Sequence, residues 1–473
     1  MGNASPSFDA SLAGELFERY GLPALTEYTA IECLSPDFDH DWESRGEIDR
    51  AISFIARWCE ERQLPDTSVE IVRLEGRTPV LLCEVSATPD ATGRPTTLVY
   101  GHFDKQPPLG EWREGLHPFK AVRAGDRLYG RGTADDGYAV FAALSAIGSL
   151  AASRTSHGRV LVLIEGSEES GSPDLEAYLD HLSERLGTPG LVICLDSGCV
   201  SYDRLWITTS LRGVVSGTLR VDVLDEGVHS GQAGGIVPSS FRIARDLLSR
   251  IEDPSTGRIV LQALWGEIPA HRVDEASQVV ADFGEQAAGV FPSVPGLELD
   301  GDSPLQRVLN GTWGPALEVI GQSGIPDAEI GGNVLRPFTE LKLSIRLPPN
   351  VDAAFAALAV RDALTVDPPS RARVSFTVSH PAQGWDAPPL QPWLASVVAT
   401  SSLEHFDARQ GSLGLGGSIP FMASLGLRYP GAQFLATGVL GPESNAHGPN
   451  EFLHVPTAKS VTSCVAQILA AIN

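Results

Sequence analysis

Basic residues are scarce in this chain relative to acidic ones. Its 473 residues include 35 Lys and Arg against 59 Asp and Glu, which gives a formal net charge of -24 at pH 7. Proteins that bind nucleic acids concentrate positive charge to neutralise the phosphate backbone. We therefore expect no nucleic-acid partner, and most of the acidic side chains should lie on the solvated surface.

Cysteine pairs, long apolar runs and a signal peptide are also missing. The six cysteines are scattered and form no CxxC pair, which argues against a structural zinc site or a disulfide framework and favours reduced thiols. No apolar stretch reaches membrane-spanning length. The opening residues, MGNASPSFDASL, lack the basic and apolar segments of a secretory signal. We predict a cytoplasmic protein with no membrane partner.

The length exceeds what one hydrophobic core normally holds, so two domains are expected. Alternating helix and strand patterns predict an α/β catalytic domain, residues 1–211 and 386–473, with a mixed sheet flanked by helices. Residues 212–385 are predicted to form an inserted α+β domain, and the Gly-rich segment Gly411 to Pro420 a loop. Three strands with strong alternation mark the insert: Val214 to Val223, Leu341 to Leu347 and Val374 to Val378.

Chemically active residues first gather in the stretch from Leu98 to Asp136. His102 and Asp104 come directly after an apolar strand pattern, and Asp135 follows a Gly-Arg-Gly turn. By themselves these residues have ordinary explanations. A histidine at a strand end often bonds a nearby acid for structural reasons, and acids on a turn often cap a helix.

Further acids follow other predicted strands. Glu168 and Glu169 come after RVLVLIEG, Asp196 comes after LVICL, and His447 lies on the polar loop SNAHGPNE. Acids at the ends of neighbouring strands repel one another unless a cation lies between them. The sequence therefore favours a metal site built at one edge of the sheet.

Nine short motifs carry a resemblance to a known family. In chain order they are GHFD, GRGTADD, EGSEESGS, CLDSG, HSG, NVLRP, SIRLPP, GGSIP and HGPNE. This set resembles the M20 metallopeptidases, and among them the carnosinase-like dipeptidases, over nearly the whole chain from about residue 90 onward. The resemblance implies a zinc-exopeptidase-like catalytic domain, a lid and dimerisation insert, and hydrolysis of an amide bond next to a free carboxylate.

The resemblance also implies a pair of divalent metal ions. Zinc is expected, with manganese or cobalt as alternatives, because nitrogen and oxygen ligands suit all three. Asp135 would bridge the ions. His102 and Asp196 would complete the ligands of one ion, and Glu169 and His447 those of the other.

Three residues are implied to assist catalysis. Glu168 would be the general base that takes a proton from the metal-bound water and delivers it to the leaving amine. Asp104 would orient the His102 imidazole. His229, in the insert, would reach the active site of the partner subunit in a homodimer and stabilise the developing oxyanion.

The substrate contacts implied by the resemblance lie in the second half of the chain. Arg346 would bind the free carboxylate of a small peptide, and Asn333, Gly417 and Ser418 would add further contacts. Taken from sequence alone, Arg346 is equally compatible with a sheet surface and Asn333 with a turn.

Two positions depart from the family pattern. Gly137 stands where the family has a lysine, and Leu415 stands where a glutamate holds the free amine of the substrate. An aliphatic side chain cannot pair with an ammonium group, which motivates the hypothesis of a masked amine, as in N-acyl amino acids. An acid from elsewhere could compensate and keep free dipeptides as substrates. A catalytically silent binding protein is disfavoured because every implied ligand is present.

Overall fold

The computed structural model describes residues 8–379 and 381–472. Residues 1–7, which belong to the segment predicted to lack a signal, lie outside the described residues. The strands within those ranges are β1 Thr67–Val72, β2 Val80–Val85, β3 Thr97–His102, β4 Val122–Ala124, β5 Arg127–Tyr129, β6 Val160–Glu165, β7 Leu191–Cys194, β8 Trp206–Leu211, β9 Gly213–Asp222, β10 Val228–His229, β11 Ala316–Ser323, β12 Val334–Leu335, β13 Phe338–Leu347, β14 Arg373–Val378, β15 Trp385–Asp386, β16 Gly411–Leu415, β17 Gln433–Ala436 and β18 Phe452–His454.

Helices occupy both the first and last segments of the chain and both faces of the main sheet. The segments α1 and α2 are joined by a π-helical turn at Phe17–Gly21. The α-helices are α1 Ser11–Leu16, α2 Leu22–Thr29, α3 Trp42–Arg45, α4 Glu47–Glu61, α5 Tyr138–Ser153, α6 Leu175–His181, α7 Ser183–Leu186, α8 Ser230–Ala233, α9 Ser240–Leu248, α10 Ala270–Phe283, α11 Pro304–Trp313, α12 Ala353–Thr365, α13 Pro392–Phe406, α14 Pro420–Arg428 and α15 Val455–Ala471.

The main sheet is mixed and has the strand order β1-β2-β6-β3-β7-β17-β8-β15, with β16 also paired to β8. The four central strands β6, β3, β7 and β17 run parallel. They are continuous apolar runs because helices cover both faces of the sheet. The predicted mixed sheet flanked by helices is therefore confirmed.

The two faces of the main sheet are covered by different helices. Helix α5 consists of small and apolar residues and is buried almost throughout. It shares one hydrophobic core with apolar side chains of α1, α4 and α15. The opposite face is covered by α6 and α14 through side chains such as Tyr178, Phe421 and Met422. Each face thus removes apolar surface from water, which stabilises the layered arrangement.

A second, antiparallel sheet has the order β11-β13-β9-β14. Along β13, the buried residues Leu341, Leu343, Ile345 and Leu347 alternate with more exposed ones, and they pack on α9 and α12. This is the predicted α+β architecture of the insert. We propose that the predicted boundaries after residues 211 and 385 divide two folding units. The second sheet draws all its strands from between them, and the main sheet draws only Trp385 of β15 from there.

One predicted loop is in fact a strand. Gly411–Leu415 pairs in parallel with β8, and Leu413 is buried between β8 and the helices α10 and α11. The prediction of a loop over this segment was wrong at its first half, because its small residues carry little alternation and its pairing partner β8 is remote in sequence. Gly411 is needed there, since a side chain at that position would overlap the ring of Trp206.

All six cysteines lie in the described ranges as unpaired thiols, and five of them are buried. The predicted burial of the thiols thus holds for all of them except Cys199, and the reduced state stays a prediction. Among the described helices, none combines the length and apolar character needed to cross a bilayer.

Candidate active site

Parallel strand ends bring the predicted acids together. His102 is the last residue of β3, Asp196 lies two residues beyond β7, and Glu168 and Glu169 form a 3-10 turn shortly after β6. Because β6, β3 and β7 are parallel neighbours, their carboxyl ends meet at one edge of the sheet. The strand arrangement itself therefore collects these side chains.

Asp135 lies between two imidazoles. Its Oδ1 is 3.3 Å from Nε2 of His102, and its Oδ2 is 3.1 Å from Nε2 of His447. Each imidazole also faces a second acid: Asp196 Oδ2 lies 3.9 Å from His102 Nε2, and Glu169 Oε2 lies 3.3 Å from His447 Nε2. We call His102, Asp135, Glu168, Glu169, Asp196 and His447 the acidic cluster.

Asp104 links two parts of the acidic cluster. Nδ1 of His102 lies 3.1 Å from the main-chain oxygen of Asp104 and 3.4 Å from its carboxylate. The same carboxylate accepts the backbone N–H groups of Glu168 and Glu169 at 3.1 and 3.0 Å. One buried side chain thus contacts both an imidazole and the turn that carries two further acids.

Burial and charge shift the pKa values of the cluster in opposite directions. Burial raises the pKa of Glu168 well above its usual range, that of Glu169 to about 8 and that of Asp196 to about 6. Burial acts in the same sense on Asp135, but hydrogen bonds from His102 and His447 hold its pKa well below the usual value. The crowded carboxylates therefore favour bound protons or another positive charge among them.

The donor set of the acidic cluster fits divalent metal ions. Ligand atoms of His102, Glu168 and Asp196 lie within 4.8 Å of one another, and so do those of His102, Asp135 and Glu169. Imidazole nitrogen and carboxylate oxygen are ligands that zinc and related divalent ions accept. Divalent ions would also compensate the mutual repulsion of the carboxylates.

The lysine missing at position 137 has a structural counterpart. A side chain at Gly137 would overlap the ring of Tyr28 and the carbonyl oxygen of Gly132. The buried Lys105 places its Nζ 4.1 Å from the centre of the Tyr28 ring and 2.7 Å from the carbonyl oxygen of Ile31. A cation therefore lies beside this turn although residue 137 supplies none. Its position directly after the GHFD motif was the available sequence signal.

Two arginines lie together at the junction of the two sheets. Arg346 Nη1 donates to the hydroxyl of Ser418 at 3.1 Å, and this hydroxyl donates to the main-chain oxygen of Arg212 at 2.5 Å. Burial and the nearby charge of Arg346 lower the pKa of Arg212 to about 10. Arg212 donates instead to main-chain oxygens such as that of Gly314, and neither guanidinium pairs with a carboxylate among the described residues. We call Arg212 and Arg346 the arginine pair; sequence reasoning had missed Arg212.

A short segment connects the arginine pair with the acidic cluster. Leu415, at the end of β16, packs against Gly198, which lies two residues after Asp196. The carbonyl oxygen of Gly416 accepts the Nε–H of Arg212 at 3.0 Å. Gly417 is exposed, and a side chain added there would meet no other atom within 4 Å. The predicted residues of GLGGS therefore lie between the two charged groups.

His229 and Asn333 lie together on the exposed side of the insert. Strand β10 pairs with β12, so that His229 faces Val334, and the N–H of Ser230 donates to the carbonyl oxygen of Asn333 at 2.9 Å. Nδ1 of His229 accepts the N–H of Gly231. Within the described part of the chain, neither side chain hydrogen-bonds the acidic cluster. The fold brings these two predicted residues to each other, not to the remaining site.

Arg131 and Glu451 are functional candidates that sequence reasoning did not single out. Both lie inside motifs that carried the resemblance, GRGTADD and HGPNE, and both are almost completely buried. Their side chains form an ion pair of 2.6 Å between two loops of the site. The available signal was that each residue lies inside a motif, although nothing in the sequence pairs two motifs 320 positions apart.

Comparisons with known proteins agree with this geometry. Residues 98–471 match the model of Peptidase family M20/M25/M40. The chain is 28% identical to a cysteinylglycine-S-conjugate dipeptidase of Corynebacterium striatum over 382 residues, which is 77% of this chain and 80% of that one. It is 26% identical to a β-Ala-His dipeptidase of Mus musculus over 280 residues, which is 58% of this chain and 55% of that one.

Solved structures share the fold over almost the whole length. Human carnosine dipeptidase 1 superposes with a TM-score of 0.79 at 20% identity, covering 98% of both chains. The dipeptidase Dug1p of Saccharomyces cerevisiae also gives a TM-score of 0.79 at 20% identity, covering 98% of this chain and 99% of that one. The resemblance inferred from the motifs is thereby confirmed: the chain belongs to peptidase family M20/M25/M40, in its carnosinase-like branch.

Proposed function

We propose that this peptidase hydrolyses dipeptides, cleaving the amide bond next to a free carboxylate in the manner of a dipeptidase or carboxypeptidase. The observation that carries the proposal is the pairing of an acidic cluster with an arginine pair across Leu415 to Ser418. The acidic cluster suits divalent cations, and the arginine pair suits a carboxylate. Relatives named as dipeptidases for cysteinylglycine conjugates and β-Ala-His support a small peptide substrate.

The acidic cluster is proposed to hold two divalent ions, zinc first, with manganese or cobalt as alternatives. Asp135 would be shared, because each of its oxygens already faces a different imidazole. His102 and Asp196 would complete one set of ligands, and Glu169 and His447 the other. Bound ions would polarise the substrate carbonyl and lower the pKa of the attacking water.

Glu168 is proposed to transfer the protons of the reaction. Its carboxylate takes a proton from the attacking water and later delivers it to the nitrogen of the leaving amine. The raised pKa that burial gives Glu168 suits a group that must hold a proton between these two steps. Asp104 holds the backbone N–H of Glu168, so the turn presents this carboxylate in one place.

The arginine pair is proposed to bind the carboxylate of the substrate. Arg346 would donate two parallel hydrogen bonds, and the Ser418 hydroxyl and the backbone at Gly417 would complete the contacts. The lack of a carboxylate partner for Arg346 in the described ranges supports this role, since a partly buried cation is costly without one. Asn333 would contribute from the insert.

A homodimer is proposed to complete the site. His229 and Asn333 are exposed at the paired strands β10 and β12 of the insert, and among the described residues neither side chain hydrogen-bonds the acidic cluster of its own chain. Across a dimer interface they would reach the partner's site, where His229 stabilises the developing oxyanion. Mixing a His229→Ala variant with a Glu168→Gln variant should then restore part of the activity. Exchanging dimers that regain no activity would contradict this arrangement.

Leu415 favours a second candidate, hydrolysis of N-acyl amino acids. Its side chain packs against Gly198 and offers no charge to a free amine. An acylated amine carries no charge, so it could be buried beside Leu415 without leaving an unpaired ammonium group. The two candidates differ only at the amino end of the substrate, so both use Glu168 and Arg346.

One substrate panel tests the proposal. Matched dipeptides with a free and an N-acetylated amine are assayed with zinc, manganese and cobalt, and Glu168→Gln serves as the catalytic control. We expect hydrolysis that falls roughly 10²- to 10⁴-fold in Glu168→Gln while bound metal is unchanged. Equal turnover by Glu168→Gln and the wild type would refute the proposed mechanism. Preference for the acetylated member of each pair would establish the second candidate.

A further inference from the structure

We propose that Arg131 and Glu451 form a positioning pair that fixes the spacing between Asp135 and His447. The inference rests on the proposed metal site, because Asp135 and His447 would bind the same ion there. It concerns neither a metal ligand nor a group that touches the substrate. The pair would act through the two loops that carry the ligands.

Glu451 holds the turn that carries Asp135. Its Oε2 accepts the N–H of Gly132 at 3.1 Å and a hydrogen bond from Arg131 at 2.6 Å. Its Oε1 accepts the N–H groups of Ala134 and Asp135 at 3.2 and 3.3 Å. Three backbone N–H groups of one turn thus converge on one carboxylate, and one of them belongs to the proposed bridging ligand Asp135.

Arg131 holds the loop that carries His447. Its Nη2 donates to the main-chain oxygens of His447 and Gly448 at 2.9 and 2.8 Å, while its Nη1 contacts Glu451. The backbone of His447 has a φ of 65°, a left-handed conformation that non-glycine residues adopt rarely. The guanidinium therefore bonds the loop at a residue whose own backbone conformation is unfavourable.

The environment explains why these contacts matter for the ligands. Arg131 is 1% exposed and Glu451 is fully buried, so each charge depends on the other and on the loop backbones. The imidazole of His447, in contrast, is 57% exposed, and little packing restrains it. Its position is therefore set mainly by the main chain that Arg131 holds.

Glu451→Gln is the sharper of two test variants. A glutamine has nearly the same shape, but its amide must place an NH₂ group toward either Arg131 or the three backbone N–H groups. Both sides are hydrogen-bond donors, so one set of contacts is lost in either orientation. We expect metal affinity to fall roughly 10- to 100-fold.

Arg131→Lys tests the other half of the pair. A lysine keeps the positive charge for Glu451 but lacks the planar fork that reaches two loops at once. We expect the ion held by His447 and Glu169 to weaken, while the ion held by His102 and Asp196 is retained. The variant should therefore bind one ion tightly instead of two.

A matched control exists between the same two chain segments. Arg127 pairs with Glu443 at 2.7 Å, but this ion pair is exposed and touches neither ligand-bearing turn. Arg127→Gln should bind zinc like the wild type. Comparing it with the two variants separates a loss of positioning from a general loosening of the loops.

The experiment is a zinc titration of the full chain, followed by native mass spectrometry for stoichiometry and calorimetry for affinity, with circular dichroism to check folding. Weakened binding by folded Glu451→Gln or Arg131→Lys, with a normal Arg127→Gln, supports the pair. Wild-type affinity and stoichiometry in whichever of the two variants folds overturns it. A wild-type chain that binds two ions but hydrolyses no amide refutes the proposed function alone, whereas one that binds none overturns both.

Discussion

The acidic cluster and the arginine pair are both groups of like charge, but the chain builds them differently. The acidic cluster stands at the carboxyl ends of parallel strands in a single sheet, and its side chains contact one another. The arginine pair spans two sheets: Arg346 is on β13 of the insert, and Arg212 joins β8 of the main sheet to β9 of the insert. The acidic cluster is thus complete at the edge of one sheet, whereas the arginine pair depends on how the two sheets meet.

This difference indicates what each group requires. In the acidic cluster, two imidazoles compensate only part of the negative charge, and several carboxyl pKa values are raised by burial. In the arginine pair, the pKa of each guanidinium is lowered by burial, and no described carboxylate offsets the charge. Cations are expected in the first group and an anion in the second. The following substitutions test that assignment.

The largest effect is expected from Asp135→Asn. Asparagine keeps the shape but removes the charge that both proposed ions share, so both should be lost together. Several kcal/mol of transition-state stabilisation would disappear, which corresponds to a fall in turnover of roughly 10³-fold or more. Metal analysis and steady-state kinetics measure the two losses. Asp180→Asn, which removes an exposed acid paired with Arg428, is the control; two ions bound by Asp135→Asn would contradict the shared-ligand assignment.

A smaller loss is expected from Arg346→Gln. Removing one partner of a charge pair typically costs about 2–5 kcal/mol, and the loss should fall on kcat/KM through a raised KM. Bound metal should be unchanged, since the arginine pair holds none. Lys342→Gln removes a cation from the same face of β13 and should leave kcat/KM nearly unchanged. Equal effects of both substitutions would show that general positive charge, and not Arg346, attracts the substrate.

The smallest effect is expected from Leu415→Glu. A carboxylate at this position can hold a free ammonium group, so the ratio of activity on free to N-acetylated dipeptides should rise about tenfold. Metal binding and the contribution of Arg346 should not change. Leu415→Gln has the same size without the charge and should leave the ratio near that of the wild type. An unchanged ratio in Leu415→Glu would mean that another group already binds the amine.

Sequence reasoning located the elements with clear patterns. The alternation around Leu341 to Leu347 and the apolar run before His102 both correspond to strands, because side-chain period and burial are local properties of the chain. It missed the strand Gly411–Leu415, whose small residues carry little alternation and whose pairing partner is remote in sequence. Short strands formed by tertiary pairing are poorly visible to local patterns.

The candidate site divides in the same way. The acids and imidazoles of the acidic cluster were recognisable because each sits in a distinctive motif. Arg212 and the Arg131–Glu451 pair were not, although the latter lies within two of those motifs. Nothing in the sequence indicates that residues 320 positions apart form one buried ion pair.

The sequence by itself determined the family, the layered fold and the identity of the charged residues, since motif order and periodicity are written along the chain. The tertiary structure alone decided which charges face each other. It placed Asp135 between two imidazoles, left Arg346 without a described carboxylate, and set His229 beside Asn333 and apart from the acidic cluster. The physical reason is that burial and Coulomb interactions depend on distance in space, and the fold converts remote chain positions into contacts of a few ångströms.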